Sequence, residues 1–293
     1  MARAARPGRT RAPRDRRRPD RRRVHRGAHR PHLPLSGSRV AVVTGASSGI
    51  GEALARRLAE RGWRCVLLAR REDRLRELAA EVGGEYEVCD VSDREAVERV
   101  AASVLARHPR IELLVNNAGV PGRAQFLDGD PERLERLLRV NYLGSVWCLR
   151  AFLPGLEAGA PARVVNVVSV AGTFALPPSG PYAASKHAQL AFSRAVATQL
   201  PDRGIHVLTV NPGLVHTEGF PNRDHLRSAL VRRLVVDADY VARHVLRALD
   251  RGATETFVPR WYRGAAVAQA LFPATLARLL SRSRYRTIRR QAA

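Results

Sequence analysis

Seven short runs of apolar, mostly β-branched residues punctuate the chain between about residues 39 and 258, and between them the apolar period changes. The runs lie near 39–44, 64–69, 84–89, 111–116, 162–169, 204–210 and 254–258. Short continuous runs of this kind suit strands buried on both faces. The segments between them carry apolar residues three and four apart, the spacing of an amphipathic helix. One such segment runs from Glu52 to Arg61 and is stopped by Gly62; a long one covers about 131–153 and another about 180–200. Strands alternating with helices predict an α/β architecture, a parallel seven-stranded sheet covered on both faces. The right-handed crossover rule makes it doubly wound. The chain shows no repeat of 20–50 residues, and the patterned stretch, 38–260, has the length of a single domain.

Both ends depart from the pattern. Residues 1–37 are crowded with arginine, with Pro and Gly interspersed and almost no acid. Such a composition cannot build a core, so a disordered arm is expected, and without an apolar stretch it does not read as a secretory signal. Two readings stand for it: an arm that meets anions, without the aromatics that stack on bases, or a start-site artefact, in which translation begins downstream at a codon such as that of Val24. Residues 261–293 are a C-terminal extension in which Gly264 to Leu280 is apolar, interrupted by Pro273 and followed by Arg282, Arg284 and Arg286. It is too short and broken to span a bilayer. Packing at a subunit or pocket edge is the expectation, and an interfacial membrane contact is the alternative that Trp261, Tyr262 and the flanking arginines support. The formal net charge of +23 comes largely from these two ends and so says little about a substrate.

The candidate chemistry centres on Tyr182 and Lys186. Lys186 is the only lysine in the 293 residues, every other long basic side chain being arginine. A spacing of four on a helix puts phenol and ammonium on one face. An ammonium beside a phenol is expected to lower the tyrosine pKa and make it a proton donor and acceptor near neutral pH. A solvated surface pair would show the same spacing. A second feature is the run Gly45, Ala46, Ser47, Ser48, Gly49, Ile50, Gly51, placed between the strand 39–44 and the helix that begins near Glu52. Glycines there let the backbone turn tightly and approach a pyrophosphate at a helix N-terminus. Cys65, Cys89 and Cys148 have no metal or disulfide spacing, no Cys/His cluster suggests zinc, and a reducing cytoplasm fits. His187 adjoins Lys186, but neighbours on a helix point apart, so a structural role is expected.

With these residues in view, the sequence resembles the short-chain dehydrogenase/reductase family over about residues 38–260. Thr44 to Gly51 matches that family's cofactor turn, and Asn116, Asn117, Ala118, Gly119 its second motif. Asn141 falls in the next helix, Ser169 lies thirteen residues before Tyr182, and Asn211, Pro212, Gly213 and Thr217 match the motif after the sixth strand. The resemblance implies a Rossmann fold and a catalytic tetrad of Asn141, Ser169, Tyr182 and Lys186. It implies a nicotinamide cofactor held by Gly45, Ser47, Ser48, Gly49, Ile50 and Gly51. Further contacts would come from Arg70 and Arg71, from Asp90 and Val91, from Asn117, Ala118 and Gly119, and from Pro212, Gly213, Val215 and Thr217. Tyr182 and Lys186 complete the cofactor set; no metal is implied.

Hydride transfer between NADP(H) and a carbonyl/secondary alcohol pair is the expected activity. Tyr182 would move the proton, Ser169 would hydrogen-bond the reacting oxygen, Lys186 would hold the nicotinamide ribose, and Asn141 would position a water linking Lys186 to solvent. The alternative is a non-catalytic NAD(P)-binding regulator, which would have no need of the tetrad. NADP is expected over NAD because Ala69 occupies the strand end where an NAD site carries an acid, and Arg70 follows. The substrate should meet 170–181 and 214–236. There Phe174, Leu176 and Phe220 hint at a lipophilic molecule, and the arginines at 223, 227, 232 and 233 face an acidic group or water. A cytoplasmic homo-oligomer is expected, pairing through the helices 131–153 and 180–200; peripheral membrane contact through 261–286 is the other localisation. Nucleic acid is not an expected partner.

Overall fold

The computed structural model describes residues 39–122, 126–127, 129–174, 179–218 and 234–282, with side chains as far as 278. The arm 1–37 lies outside the described residues, as do Leu176, Phe220 and the four arginines at 223, 227, 232 and 233.

Strands β1 (Val40–Thr44), β2 (Arg64–Ala69), β3 (Glu85–Val88), β4 (Leu113–Asn116), β5 (Ala162–Val167), β6 (Ile205–Pro212) and β9 (Glu255–Val258) form the central sheet. Their order is β3-β2-β1-β4-β5-β6-β9, and every pairing is parallel, with Val42 opposite both Val66 and Leu114. A separate parallel pair, β7 (Val215–His216) and β8 (Val236–Asp237), lies beside it; two residues apiece are too few to print a pattern. Alternation along the strands feeds two cores. Ala41 and Val43 point with Cys65 and Leu67 to one face, Val40 and Val42 with Val66 and Leu68 to the other.

On the first face sit α1 (Gly49–Ala59), α2 (Glu72–Val82) and α7 (Ala238–Asp250), burying Leu54, Leu58, Leu75, Val241, Val245 and Leu249. On the second sit α3 (Arg94–Arg107), α5 (Gly144–Ala158) and, in part, α6 (Gly180–Gln199), with Phe152 and Leu156 fully buried. The helix starts follow capping chemistry: Asp93 accepts from Ala96 N at 3.1 Å, and Asp130 accepts from Glu132 N at 3.1 Å ahead of Pro131 in the first turn.

The long helix expected near 131–153 is uninterrupted but not uniform: α4 (Pro131–Leu138) passes through a π turn at Arg139–Leu143 into α5, which carries on through Pro154 to Ala158. Its apolar residues divide. Leu137 and Leu149 are core, Leu134, Tyr142 and Val146 are half-buried, and Leu138 is exposed. The C-terminal extension forms α8 (Tyr262–Leu271) and α9 (Pro273–Arg282). Among the described residues no helix is long and apolar enough to cross a membrane.

Candidate active site

The strand order reverses direction between β1 and β4, and in parallel sheets ligands bind beyond the carboxyl ends of the strands at such a point. The sequence motifs gather there. After β1 the chain turns through Gly45, at φ +65°, and enters α1 at Gly49. A side chain at Gly51 would put its Cβ 2.4 Å from the Gly45 carbonyl oxygen, and one at Gly45 would lie 2.7 Å from Ala118 Cα. Only glycine permits this approach of backbone to backbone. Thr44 and Asn117 lock the two turns together. Thr44 Oγ1 accepts from Asn117 N and Ala118 N, both at 3.0 Å, while Asn117 Nδ2 donates to the Thr44 carbonyl at 3.0 Å and to that of Gly45 at 3.2 Å. Ser48, the residue before α1, makes no side-chain cap, so the first amides of α1 remain available to an anion.

At the end of β2, Ala69 is buried and Arg70 and Arg71 are exposed. Arg70 Nη1 stands 3.6 Å from Asp90 Oδ2. Burial would raise the Asp90 carboxyl, but hydrogen bonds from Ser92 and the Arg70 charge outweigh it and hold the group below the usual range. Arg71 donates to Ser47 Oγ and to the Ser47 carbonyl, and pairs with Glu218 at 2.7 Å, closing over the glycine turn. Val91 is buried beside Gly144. Thr217 Cγ2 would lie 3.0 Å from a Cβ on Gly49, which brings the segment after β6 onto the start of α1.

Ser169 follows β5, while Tyr182 and Lys186 project from α6. The Tyr182 and Ser169 side chains are hydrogen-bonded; Ser169 Oγ also accepts from Ala171 N at 3.1 Å and contacts the Pro212 carbonyl at 3.5 Å. Tyr182 and Lys186 do share a helix face, with the ammonium 6.0 Å from the ring centroid. The electrostatics differ from the expectation. Burial pushes the Tyr182 phenol up, against a smaller downward pull from Ser169, and burial pushes Lys186 down to about 7. The reason is geometric: the ammonium is turned into the core, donating to Gln189 Oε1 at 2.8 Å and to the Val167 carbonyl at 3.3 Å.

Asn141 lies in the π turn and is buried. Its side-chain amide bonds to protein, accepting from Val120 N at 2.8 Å and donating to the Val120 carbonyl at 3.1 Å and Ser185 Oγ at 3.0 Å. The side chain holds the turn after β4 against α6 with both amide protons in use, while its oxygen keeps a second lone pair. His187 points outward, with its ring nitrogen 2.8 Å from the Ala183 carbonyl.

Sequence reasoning missed the buried polar chain beneath the lysine. Gln189 Nε2 donates to Ser145 Oγ at 2.9 Å. Asn116 Nδ2 reaches the Ser145 carbonyl at 3.4 Å and Asn166 Oδ1 at 2.9 Å. Asn166 Nδ2 donates to Ser193 Oγ at 2.9 Å, which meets Thr209 Oγ1 at 2.7 Å. A signal existed: Lys186, Gln189 and Ser193 are spaced i, i+3, i+7, the period of the buried face of α6.

On the other side of the site, Tyr262 of α8 seats its ring against Gly213, where a Cβ would lie 1.9 Å from Tyr262 Cε2, and hydrogen-bonds the Leu214 backbone. Phe174 and Ala266 pack with Val170, Phe257 and Tyr262 in a small third core, so the C-terminal extension forms part of the rim next to Ser169. The three cysteines are buried and free, with burial raising the thiols of Cys65 to about 12 and of Cys89 to about 11.

Comparison with known proteins places this arrangement. The family model described as short chain dehydrogenase matches residues 39–226. A dehydrogenase/reductase SDR family protein 7-like of Anopheles gambiae is 38% identical over 189 residues, covering 61% of this chain; the match spans only 60% of that relative's length. Among solved structures, a short chain dehydrogenase from Burkholderia cenocepacia in complex with NADP superposes with a TM-score of 0.70 at 30% identity, covering 83% of this chain and 97% of that one. One from Burkholderia phymatum in complex with NAD superposes with a TM-score of 0.71 at 25% identity, covering 82% and 95%.

Proposed function

The chain belongs to the short-chain dehydrogenase family, and on that premise we propose that it is an NAD(P)-dependent oxidoreductase acting on a carbonyl/secondary alcohol pair. The observation that carries the reading is convergence: Ser169, Tyr182 and Lys186 stand together beyond β5, beside a glycine turn too tight for any Cβ and an uncapped helix start. That cradle and amide set fits a nicotinamide dinucleotide, which supplies the hydride when bound. Gly45, Ser47, Ser48, Gly49, Ile50 and Gly51 would take its diphosphate; Asp90 and Val91, Asn117 to Gly119, and Pro212 to Thr217 would line the rest.

Each residue of the chain then has a task. Tyr182 gives its hydroxyl proton to the carbonyl oxygen in reduction and takes one from the alcohol in oxidation. Ser169 hydrogen-bonds both the phenol and the reacting oxygen. Lys186 would hold the nicotinamide ribose, its ammonium lying beside Gly119 as well as its core acceptors, and its charged form favours the phenolate. Asn141 braces the Gly119–Val120 turn. Exposed Arg70, with no acid at the end of β2, supports NADP over NAD. The substrate reading is lipophilic, supported among the described residues by half-buried Phe174, which packs on Val170 and Tyr262 near Ser169.

For assembly we favour a cytoplasmic homo-oligomer paired through α4–α5 and α6. A specific observation keeps peripheral membrane contact beside it: Trp261, Val267, Leu271 and Phe272 are all at least half exposed, and residues 260–293 contain arginines and no acid. The deciding experiment screens a carbonyl and alcohol library with both cofactors. Turnover of any member fits the oxidoreductase; cofactor binding with no turnover across the library would leave a binding protein instead.

A further inference from the structure

Lys186 is buried to 4% exposure, and the groups around its ammonium can be enumerated. Gly119 offers no side chain, though a Cβ there would lie 3.6 Å from the nitrogen. Asn141 is committed to Val120 and Ser185. Tyr182 faces it from α6, the Val167 carbonyl from β5 at 3.3 Å, and Gln189 Oε1 at 2.8 Å. Among the described residues none of these is a carboxylate, so the groups found around the charge compensate it by dipoles. The shortest contact is to Gln189, itself fully buried. An ammonium has three donors and no acceptor, so the amide must present its oxygen to Lys186. Its nitrogen then faces Ser145 Oγ at 2.9 Å, which holds the amide in that orientation from α5.

We propose that Gln189 is the positioning residue for Lys186: its amide oxygen fixes the ammonium beside the site of the nicotinamide ribose and favours its charged form there, with Ser145 fixing the amide. A buried charge survives only where hydrogen bonds replace its lost hydration. Removing the closest acceptor therefore favours neutral lysine, and a neutral lysine no longer favours the phenolate of Tyr182. The role in turnover rests on the oxidoreductase reading; the contact itself does not, and the experiment separates the two.

Because Lys186 is the only lysine, full-length protein labelled with 13C-lysine gives one ε-carbon signal, and its NMR titration reads this residue alone. Gln189→Met keeps nearly the volume and removes the acceptor; Gln189→Glu keeps the shape and adds charge. The Lys186 pKa is expected to fall by about one unit or more in the Met variant and to rise by about one or more in the Glu variant, each unit a tenfold change in the protonation equilibrium. Circular dichroism melts confirm that each variant is folded, and if the Met variant is not, the Glu variant decides. Titrations of parent and folded variants within about 0.3 unit overturn the proposal. If the library screen yields a substrate, the pH profile of kcat/KM should move with the same sign, whereas a fall in kcat without a shift would mark Gln189 as a core filler and also overturn it. Shifted titrations in a protein that turns over no carbonyl or alcohol would sustain the Gln189 contact and sink the oxidoreductase reading.

Discussion

Replacing the Tyr182 hydroxyl by hydrogen removes the proton the reaction needs and little of the shape. Tyr182→Phe is expected to lose about 10²–10⁴ in kcat while binding cofactor within about threefold of the parent. Steady-state rates and cofactor titration check this, and activity within about tenfold of the parent would refute the assignment. Lys186 makes a prediction about stability that needs no substrate. Its pKa in the fold is about 7 against an ordinary 10.5. Between those values the unfolded chain binds the extra proton, so stability rises with pH across that window. Below about pH 7 both states are protonated and the cost of the buried charge is constant. The thiols of Cys65 and Cys89, raised by burial to about 12 and 11, act the other way above about pH 9, where unfolded thiols ionise first. The clean interval is therefore pH 7 to 9, in which Tm of the parent minus Tm of Lys186→Met should climb. A flat difference in thermal melts would exclude the burial argument. Spacing alone had made Tyr182 and Lys186 legible as a pair. The direction of the ammonium was not legible, because it depends on Gln189 and the Val167 carbonyl, and on Ser145 forty-four residues away in the sequence.

At the level of elements, the end of β2 sets the cofactor prediction. Ala69 is buried, Arg70 is half exposed near Asp90, and Arg71 is tied to Ser47 and Glu218. Arg70 is thus the freer of the two to meet a 2′-phosphate. The parent should bind NADP more tightly than NAD, and Arg70→Ala should weaken NADP by about tenfold, the scale of one charge-assisted pair, with NAD nearly unchanged. Calorimetric titration of both cofactors decides it; equal affinities in the parent would refute the preference. The strands were readable because runs such as Val40 to Thr44 and Val164 to Val167 are β-branched and bounded by turns. The π turn within the helix from Pro131 to Ala158 was not readable, since the apolar stripe runs through Val140 and Tyr142 with no Gly or Pro between 139 and 143. Pro154 misled in the opposite sense: it suggests an end, yet packing of Phe152 and Leu156 into the second core carries α5 past it.

For the whole molecule the predictions concern its ends and its copies. Deleting residues 1–36 should leave Tm and turnover unchanged, because the patterned core begins at β1; a loss of several degrees would show that the arm packs on the domain. Light scattering of the detergent-free protein, with and without residues 261–293, is expected to give an oligomer in both forms, and sedimentation with anionic vesicles tests the competing surface. A monomer in both forms would eliminate pairing through α4–α5 and α6, and quantitative recovery of the full chain on vesicles would eliminate the cytoplasmic reading. Since Leu137, Leu149 and Leu190 lie in the core, any such pairing must rest on Leu138 and the half-buried residues around it. The contact of Tyr262 with Gly213 has a bearing on engineering. The ring fills the space where any side chain at 213 would begin, so the strand end after β6 and the C-terminal helices behave as one cassette. A chimera that exchanges the substrate rim must import its matching residue at 262, and a tail swap that keeps Tyr262 must keep Gly213.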